Sequence, residues 1–487
     1  ELLEDTLHQH GVSGWRVLLV SNEVGLRKDT GQLYEYALTH FGASPAQLVM
    51  VGDNERADIQ IPTDMGAQPI PLLRPVELAR SLPRFAPLIA AHEHQRDIDA
   101  EITLGLVLQK NFSPIHFPAF DPDSLVPVTP YHLGYSLIGP VAVSFSQWVL
   151  QQAREDGLQR LYFLSREGKP LKAIYDCWTQ GEENAPQTEY LVVSRRAAGL
   201  AAIASLDDIL DIAKTTYYPN KFESYLHTRY GITLSEARWG ELAQKFSITP
   251  DTLISIQNRK IEPLIPWLQA LEGEIMAQVQ LERRALMHYL EINGLTRDDH
   301  QAVVDVGYGG SVQGYLNKLL VQKARAENAI PNRLHGYYLM TDERAQKVSD
   351  AYQVRLHGGF FENVQLTSNM PVMYQHSFNL EKLLSTNEPQ IESYELDAAG
   401  NIHGHSRPLL PEELACADIR NQLLAGALDF AKDARRIRET LLPDFHPSRW
   451  TAQMLMEAFL AKKSQQESDL LSQIVLDDYY CGRDLVS

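Results

Sequence analysis

Two carboxylates follow an apolar run near the start of the chain. Residues 48–52 form a run of strand length that ends at a glycine, Asp53 follows at once, and Asp58 comes five residues later. In open α/β sheets, ligands lie just outside the carboxyl ends of such strands. Because Mg²⁺ is a hard cation that prefers oxygen ligands, the two carboxylates of this loop are suited to hold it.

A hydroxyl and a cation come before this loop, at a second predicted strand end. Residues 15–20 are typical of a buried strand, Ser21 follows them, and a short loop then carries Lys28. Apolar residues at helical spacing predict a helix from about residue 32 to 41. A hydroxyl donor, a lysine that neutralises charge and a carboxylate-bound metal can together hold a phosphate. The candidate residues of this site are Ser21, Asn22, Lys28, Asp53, Asn54 and Asp58.

These residues occur in the order and spacing of three motifs of one enzyme family. Over about residues 1–80 the chain resembles the haloacid dehalogenase (HAD) superfamily of phosphohydrolases. Ser21 looks like the second motif of that family and Lys28 like the third. Asp53, with Asp58, looks like the fourth. The resemblance implies Mg²⁺-dependent phosphate hydrolysis in which Ser21 and Lys28 hold the phosphoryl group and Asp53 holds the metal. It implies that Asp58 orients Lys28 or supports the metal site.

The nucleophile of that family has no counterpart in this sequence. In the family it is an aspartate of an Asp-x-Asp-x-Thr/Val motif on the first strand, and no such motif precedes Trp15. We therefore expect either a piece that lacks its N-terminal part or a domain without a nucleophile. We expect no phosphatase activity from this chain by itself, and turnover once the upstream segment is added.

Composition limits the other classes of function. A length of 487 residues with 44% apolar residues suits two to four globular domains. A net charge of −18 argues against non-specific nucleic-acid binding. The sequence has no run of eighteen apolar residues, so no transmembrane segment is expected. Three widely spaced cysteines fit neither a disulfide framework nor a zinc site, which favours a cytoplasmic location.

Apolar runs and helical periodicity predict four parts. Residues 1–83 are the HAD-like core piece, and residues 84–130 are a connector rich in turn signals. Strands alternate with helices over 131–410, which predicts a second α/β domain with a parallel sheet and a helical insertion at about 205–300. Residues 411–487 are predicted to be helical. The predicted fold class is therefore α/β, with a partial HAD-type, Rossmann-like sheet followed by a second parallel α/β domain.

Three predicted strand ends of the second domain carry groups suited to an anion. Two of them place a serine and arginines where a helix begins, and backbone N–H groups and guanidinium groups both favour phosphate there. The third carries Asp305, which suits a sugar hydroxyl, and a glycine-rich turn that lets backbone approach a ligand. Right-handed crossovers place all three turns at one sheet edge. The candidate ligand-binding residues are Ser165, Arg166, Ser194, Arg195, Arg196, Asp305, Gly307, Gly309, Gly310, Ser311 and, for the same cleft, Glu381.

Several interpretations of these turns stay open. The glycines also suit a tight βα turn, and Arg166 also suits an ion pair with Glu167. A HAD-like piece, followed by the strand end at residues 163–168 and the glycine-rich turn at residues 305–313, resembles large bacterial predicted HAD hydrolases, some of them linked to surface-polysaccharide glycosyltransferases. That resemblance implies a phosphorylated small molecule or nucleotide sugar as ligand and polysaccharide-assembly proteins as partners. The alternatives are a glycosyltransferase-like or nucleotide-sugar-binding module on a non-catalytic HAD scaffold, and a non-catalytic interaction protein.

Overall fold

The computed structural model describes residues 2–9, 11–112, 121–297, 300–331 and 333–486. The chain divides into two compact units. The first comprises residues 1–86 and 108–120, and the second comprises residues 87–107 and 121–487. The predicted connector at 84–130 is thus shared between the two units, and its residues 113–120 lie outside the described part of the chain.

The first unit contains a two-stranded parallel sheet. Strand β1 (Val49–Gly52) pairs with β2 (Gln68–Pro71), and one wide helical turn, Glu55–Gln60, follows β1. The helices of this unit are α1 (Leu2–Gln9), α2 (Ser21–Val24), α3 (Gln32–Phe41), α4 (Ile61–Asp64) and α5 (Pro75–Arg80). The predicted helix at about 32–41 is confirmed as α3.

The strand predicted at residues 15–20 is wrong. This segment pairs with no strand among the described residues. An apolar run forms a strand only when a neighbour supplies the ladder of hydrogen bonds, and β1 pairs with β2 instead. The strand β1 is present but is not buried as predicted, since Val49 and Val51 are 54% and 53% exposed.

The second unit is built on a five-stranded sheet. Its strand order is β4-β3-β7-β8-β9, and every neighbouring pair is parallel. In chain order the strands after β2 are β3 (Arg160–Leu164), β4 (Gln187–Leu191), β5 (Tyr217–Lys221), β6 (Leu253–Ile256), β7 (Gln301–Asp305), β8 (His335–Asp342), β9 (Arg355–Val364), β10 (Ile391–Leu396), β11 (Ile402–Ser406), β12 (Leu476–Asp478) and β13 (Arg483–Val486).

Helices account for most of the remaining ordered backbone. After α5 they are α6 (Ala86–Gln95), α7 (Ile98–Asn111), α8 (Pro130–Leu133), α9 (Gly139–Glu155), α10 (Gly168–Thr179), α11 (Arg195–Ala202), α12 (Leu206–Ala213), α13 (Phe222–Tyr230), α14 (Glu236–Phe246), α15 (Ile265–Ala270), α16 (Glu272–Ile292), α17 (Ser311–Ala326), α18 (Glu343–Tyr352), α19 (Val372–Gln375), α20 (Ser377–Leu383), α21 (Pro411–Ala415), α22 (Ala417–Thr440), α23 (Arg449–Ala461) and α24 (Gln465–Ser472).

The central strands are apolar because helices cover both faces of a parallel sheet. Leu161, Phe163 and Val303 are at most 1% exposed, and the predicted α/β class with a parallel sheet is confirmed. Strand β9 was not predicted, because its Gly358 and Gly359 interrupt the apolar pattern. Each glycine is needed for packing: a Cβ at Gly358 would lie 2.1 Å from a backbone oxygen of the same strand.

The predicted helical regions also contain strands. The insertion at 205–300 holds α12 to α16, but β5 and β6 form an antiparallel ladder within it. The insertion has its own apolar core, which includes Phe222, Tyr225 and Leu268. The C-terminal region is mostly helical as predicted, and it ends in the antiparallel pair β12–β13, which was not predicted.

One helical stretch of the described residues, Pro130–Glu155, is long and apolar enough to cross a membrane by length and composition alone. Its mean hydropathy is 1.3, and 89% of its most apolar window is buried inside the protein. Glycines let this stretch approach α22 closely, since a Cβ on Gly134 would lie 2.0 Å from the carbonyl oxygen of Leu423. Length and composition do not distinguish such a span from a core helix.

Candidate functional site

In the first unit, Lys28 and Asp58 form an ion pair beside the end of β1. Lys28 Nζ lies 2.6 Å from Asp58 Oδ1, and the two side chains are 41% and 4% exposed. The backbone N–H of Asn54 donates to Asp58 Oδ2 at 3.1 Å. Burial pushes the pKa of Asp58 upward, but the hydrogen bonds from Lys28 and Asn54 outweigh burial and hold it below its usual value. Asp58 is therefore an ionised group with its charge compensated.

Asp58 explains why a glycine ends β1. A Cβ on Gly52 would lie 2.3 Å from Asp58 Oδ2, so the carboxylate packs directly onto the strand end. The hydroxyl of Tyr34 donates to the Ala57 carbonyl at 2.7 Å, and burial beside Asp58 raises the pKa of Tyr34 to about 12. Asn54 Oδ1 accepts from Ala57 N at 2.8 Å, so this candidate ligand residue caps the helical turn.

The other candidates of the first unit are exposed. Ser21 is the first residue of α2 and Asn22 is the second, and both side chains face solvent. Asp53 Oδ2 lies 3.4 Å from Arg74 Nε, with the Asp53 side chain 48% exposed. The structure thus brings Lys28 and the loop after β1 together, and it leaves Ser21 and Asn22 on an exposed helical turn.

A metal ion at this loop would have Asp53 as its protein ligand. No group of three or more His, Cys, Asp or Glu side chains in the described part of the chain is placed to hold a metal ion. Mg²⁺ usually keeps several waters and binds through one or two carboxylates together with substrate phosphates. Asp58 is committed to Lys28, so Asp53 fits as one protein ligand of such an ion.

The turns after β3, β4 and β7 lie side by side, because these three strands are parallel neighbours in one sheet. Ser165 Oγ donates to the Val193 carbonyl at 2.6 Å and accepts from Val193 N at 3.1 Å, which joins the first turn to the second. The peptide bonds Ser165–Arg166 and Gly307–Tyr308 are both cis. The three turns share one edge of the sheet, as the sequence predicts.

Two predicted ligand groups at this edge have protein partners instead. Arg196 forms a buried ion pair with Glu282 and donates to the Glu392 carbonyl at 2.7 Å. Ser194 Oγ accepts from Ala197 N at 3.0 Å and so caps α11. Both side chains hold the fold together around the second turn.

The glycine-rich turn after β7 packs against β8 and β9. A Cβ on Gly307, at φ 156°, would lie 2.7 Å from a backbone oxygen of β8. A Cβ on Gly310, at φ 69°, would lie 2.0 Å from Leu356 Cδ2, and a Cβ on Gly309 would lie 3.1 Å from the Cβ of Arg344. These contacts favour the tight βα turn as the reason for the glycines. Ser311 begins α17 directly after them.

Acidic side chains converge at the same edge. Asp305 ends β7, Glu167 precedes α10 and Glu381 lies on α20. Burial and the charge of Glu167 raise the pKa of Glu381 to about 7, and burial with the same neighbouring charge raises the pKa of Asp305 well above its usual value. The hydroxyl of Tyr308 donates to the Ser377 carbonyl at 3.3 Å, and burial followed by the charge of Glu381 raises the pKa of Tyr308 well above its usual value.

Arginines flank this acidic cluster. Arg195, the first residue of α11, is exposed, and its charge lowers the pKa values of Glu381 and Asp305 against the larger effect of burial. Arg166 Nη1 lies 2.7 Å from Asp477 Oδ2, and the Asp477 side chain is 2% exposed. Arg166 is therefore held by β12, whereas Arg195 keeps its contact with solvent.

These groups share one edge of the sheet. Asp305, Tyr308 and Glu381 each keep partial contact with solvent, although burial is the largest cause of their raised pKa values. Perturbed pKa values of this kind are typical of functional sites. We use the name edge cleft for the group formed by Glu167, Arg195, Asp305, Tyr308 and Glu381.

The sequence analysis did not predict two of these residues, nor the residue that holds Arg166 in place. Glu167 and Tyr308 each directly follow a residue that was predicted, so their position after a strand end was the available signal. Asp477 lies 311 residues from Arg166 in sequence, and no local pattern connects the two. Long-range partners of this kind follow only from the fold.

The architecture is that of an α/β protein with parallel sheets, and its second unit carries the edge cleft at the carboxyl ends of the strands. No protein-family model matches the sequence, and no curated protein matches it significantly. Hypotheses about function therefore rest on the geometry of the two strand-end regions and on the resemblance of residues 1–80.

Proposed function

We propose that the edge cleft of the second unit binds a phosphorylated or nucleotide-linked sugar. The observation that carries this proposal is the convergence of Arg195, Tyr308 and the carboxylates of Asp305 and Glu381 at one edge of a parallel sheet. Ligands of open α/β sheets bind at this edge, outside the carboxyl ends of the strands.

The phosphate of such a ligand suits the positive groups of the edge. Helices α10, α11 and α17 each begin just after one of three neighbouring strands, so their N-termini lie at the same sheet edge. The N–H groups and the dipole of a helix N-terminus favour an anion. The exposed guanidinium of Arg195 adds donors in the fork geometry that phosphate accepts.

The sugar of the ligand suits the carboxylates. Ionised carboxylates accept hydrogen bonds from hydroxyl groups, and a phenol both donates and accepts them. Inorganic phosphate would gain nothing from Asp305 and Glu381, and it would be repelled by them when they are ionised. A ligand with an anionic end and a polyhydroxyl end uses both kinds of group, which supports a sugar phosphate over a bare anion.

Calorimetric titration with UDP-glucose, GDP-mannose and glucose 1-phosphate tests the proposal. Losing a charged hydrogen bond typically costs about 1.5–3 kcal/mol, so Arg195→Ala is expected to weaken binding at least about tenfold. The matched control is Arg355→Ala, an exposed arginine at the first residue of β9 and thus at the opposite sheet edge. Equal affinities for wild type and Arg195→Ala, or no binding by any of the three, would refute the proposal.

A second candidate function concerns the first unit. The ion pair of Lys28 with Asp58, beside the end of β1, is the observation that favours it. Together with the resemblance of residues 1–80, this pair supports a HAD-type, Mg²⁺-dependent phosphohydrolase in which Lys28 contacts the phosphoryl group. A bound Mg²⁺ on Asp53 would supply charge neutralisation there. A cytoplasmic role beside polysaccharide-assembly proteins belongs to the same proposal and derives from the resemblance alone.

Phosphate binding tests this second function without depending on a nucleophile. We expect inorganic phosphate, observed by ³¹P NMR with and without Mg²⁺, to bind the wild-type chain and to lose most of its affinity in Lys28→Met. The control is Arg27→Met, which removes a neighbouring exposed cation that pairs with Asp29. Equal binding by both variants would remove Lys28 from the site.

A further inference from the structure

We propose that Arg229 and the tyrosines around it bind a carboxylate carried on an aromatic or apolar body, and that the C-terminal hairpin covers this site. The name C-terminal hairpin is used for residues 476–486, which comprise β12, a short helical turn and β13. The centre of the site lies on the helical insertion of the second unit, and none of its residues belongs to the edge cleft. The inference therefore does not depend on the proposed sugar-phosphate ligand.

Arg229 is a buried cation without an anionic partner among the described residues. It lies on α13 and is 1% exposed. Its Nη2 donates to the Thr216 carbonyl at 2.8 Å, but its Nε and Nη1 have no hydrogen-bond acceptor in the part of the chain that the structure describes. No carboxylate of that part pairs with it. Because an unpaired buried charge is costly, a ligand that brings a negative charge to this guanidinium is favoured.

Three tyrosine rings lie around the guanidinium group of Arg229. Its Cζ is 3.9 Å from the ring centre of Tyr480, 5.5 Å from that of Tyr217 and 6.0 Å from that of Tyr225. The rings of Tyr217 and Tyr225 meet edge-on, with their centres 4.9 Å apart. The buried hydroxyl groups of these two tyrosines also lack a hydrogen-bond partner among the described residues. The site thus offers apolar ring surfaces together with N–H and O–H donors.

The single positive charge of this site favours a carboxylate over a phosphate group. A carboxylate carries one negative charge and balances one guanidinium, whereas a phosphate monoester carries about 1.5–2 negative charges at pH 7 and would leave excess charge in a buried site. The planar guanidinium also matches the geometry of a carboxylate. The tyrosine rings suit an aromatic or aliphatic body next to that carboxylate. A small aromatic monocarboxylate therefore matches both features of the site.

The C-terminal hairpin covers this site through Tyr480, which lies on the turn between β12 and β13. Two further contacts hold the hairpin on the insertion. Asn220 Nδ2 donates to the Gly482 carbonyl at 3.2 Å, and the guanidinium carbon of Arg483 lies 3.7 Å from the ring centre of Tyr218. A two-stranded hairpin is only marginally stable by itself, so its position depends on such contacts. Opening of the hairpin gives a ligand access to the buried guanidinium, and its closure covers the ligand.

Fluorine NMR of 4-fluorobenzoate with the full chain tests the site. Losing a charged hydrogen bond typically lowers affinity at least about tenfold, so the neutral 4-fluorobenzamide should bind the wild-type chain at least that much more weakly. Arg229→Met should weaken the binding of 4-fluorobenzoate at least about tenfold for the same reason. Arg195→Ala removes an exposed, screened charge of the edge cleft and should change this affinity by less than about threefold.

The matched control is Arg438→Met. The guanidinium carbon of Arg438 also lies 3.9 Å from an aromatic ring centre, that of Trp178, but this arginine pairs with the carboxylate of Glu182 at 3.0 Å. We expect the variant to keep the wild-type affinity for 4-fluorobenzoate. Wild-type affinity in Arg229→Met, or equal binding of 4-fluorobenzoate and 4-fluorobenzamide, would overturn the inference. Failure of the wild-type chain to bind 4-fluorobenzoate would also overturn it.

Hydrogen exchange of the wild-type chain keeps the test decisive even if Arg229→Met does not fold. Saturating 4-fluorobenzoate is expected to slow exchange in peptides from residues 217–230 and from the C-terminal hairpin, because a bound ligand holds the hairpin closed over the insertion. Peptides from α22, which lies outside the site, serve as the control and should not change. Unchanged exchange in both site segments would place the bound 4-fluorobenzoate elsewhere on the protein and would refute the proposed site.

Discussion

The two strand-end regions of this protein arrange charge in opposite ways. Beside β1, a cation and an anion meet at 2.6 Å, and the pKa of Asp58 is lowered because Lys28 and a backbone N–H stabilise its charge. In the edge cleft, burial and then the charge of Glu167 raise the pKa values of Asp305 and Glu381, against the smaller opposite effect of Arg195. The first region pairs its charges, whereas in the second burial and like charge outweigh the neighbouring arginine.

This difference separates stabilising groups from groups that are available for chemistry. An ion pair with its hydrogen bonds satisfied leaves little capacity for a ligand until the ligand replaces one partner. Crowded like charges destabilise the fold, and such sites are typical of function because shifted pKa values suit proton transfer. The edge cleft is therefore the stronger candidate for catalysis, and the pair beside β1 is the stronger candidate for a structural or anion-holding role.

The largest expected effect tests whether a buried ion pair, rather than a position at the sheet edge, determines how much an arginine contributes to the free energy of unfolding. Arg196 and Arg195 are adjacent, but Arg196 forms a buried pair with Glu282 whereas Arg195 is exposed. Arg196→Met leaves a buried unpaired carboxylate and should lower the free energy of unfolding by about 3–5 kcal/mol. Arg195→Met should change it by less than about 0.5 kcal/mol. Urea unfolding of both variants measures this, and equal effects would break the comparison.

The next effect concerns the pH dependence of stability in the second unit. A carboxyl whose pKa is raised by folding binds its proton more tightly in the folded state, so its contribution to stability is lost as pH rises from its unfolded value of 4.5 through about 7. One pKa unit corresponds to about 1.4 kcal/mol, and partial solvent contact reduces the full shift to an expected loss of about 1–2 kcal/mol. Glu381→Gln should remove that loss between pH 5 and pH 8.

The control for this pH effect is Glu236→Gln, which neutralises an exposed carboxylate. Its urea-unfolding curves should follow the wild-type pH dependence. If Glu381→Gln loses stability from pH 5 to pH 8 as steeply as wild type does, then burial and the charge of Glu167 do not raise the pKa of Glu381, and the contrast between the two regions fails.

The sequence predicts a strand correctly where its own apolar run is enough to identify it. It fails where the strand depends on a partner elsewhere in the chain. The buried strands β3 and β7 are continuous apolar runs, and both were predicted. Residues 15–20 have an equally apolar run but form no ladder with any strand that the structure describes, because a strand also requires a neighbour that the run does not specify. Strand β9 has its ladder without an apolar run, since two glycines pack closely within it.

The candidate site follows the same distinction. That three turns share one edge follows from the handedness of crossovers, and this was predictable. The sequence did not predict which side chains at that edge remain available for a ligand. Arg166 and Arg196 carry identical guanidinium groups in similar turns, yet both are held by partners far along the chain, Asp477 and Glu282. Asp305 and Glu381 were both named as candidates, and the pKa values of both are raised, which the sequence alone did not indicate.

An effect of similar size is expected beside β1, with the opposite response to pH. Because the pKa of Asp58 is lowered by folding, its contribution to stability is present above the unfolded value of 3.8 and is lost as pH falls below it. Asp58→Asn should destabilise the first unit by about 1–2 kcal/mol at pH 7 and by much less at pH 3. Hydrogen exchange of peptides from residues 49–71, corrected for intrinsic rates, measures this locally. A loss that persists at pH 3 would indicate packing rather than charge.

The smallest stability effect separates the two roles of Lys28. Its side chain is 41% exposed, so water screens the pair, and Lys28→Met should cost only about 0–1 kcal/mol in the same exchange measurement. Removing Lys28 also leaves Asp58 with its backbone hydrogen bond from Asn54, which keeps part of its stabilisation. If Lys28 serves an anion, the variant loses phosphate binding while the protection of residues 49–71 is almost unchanged. A large loss of hydrogen-exchange protection with unchanged phosphate binding would instead make Lys28 a structural partner of Asp58. The two strand-end regions would then differ in the burial of their charged groups and not in ligand binding.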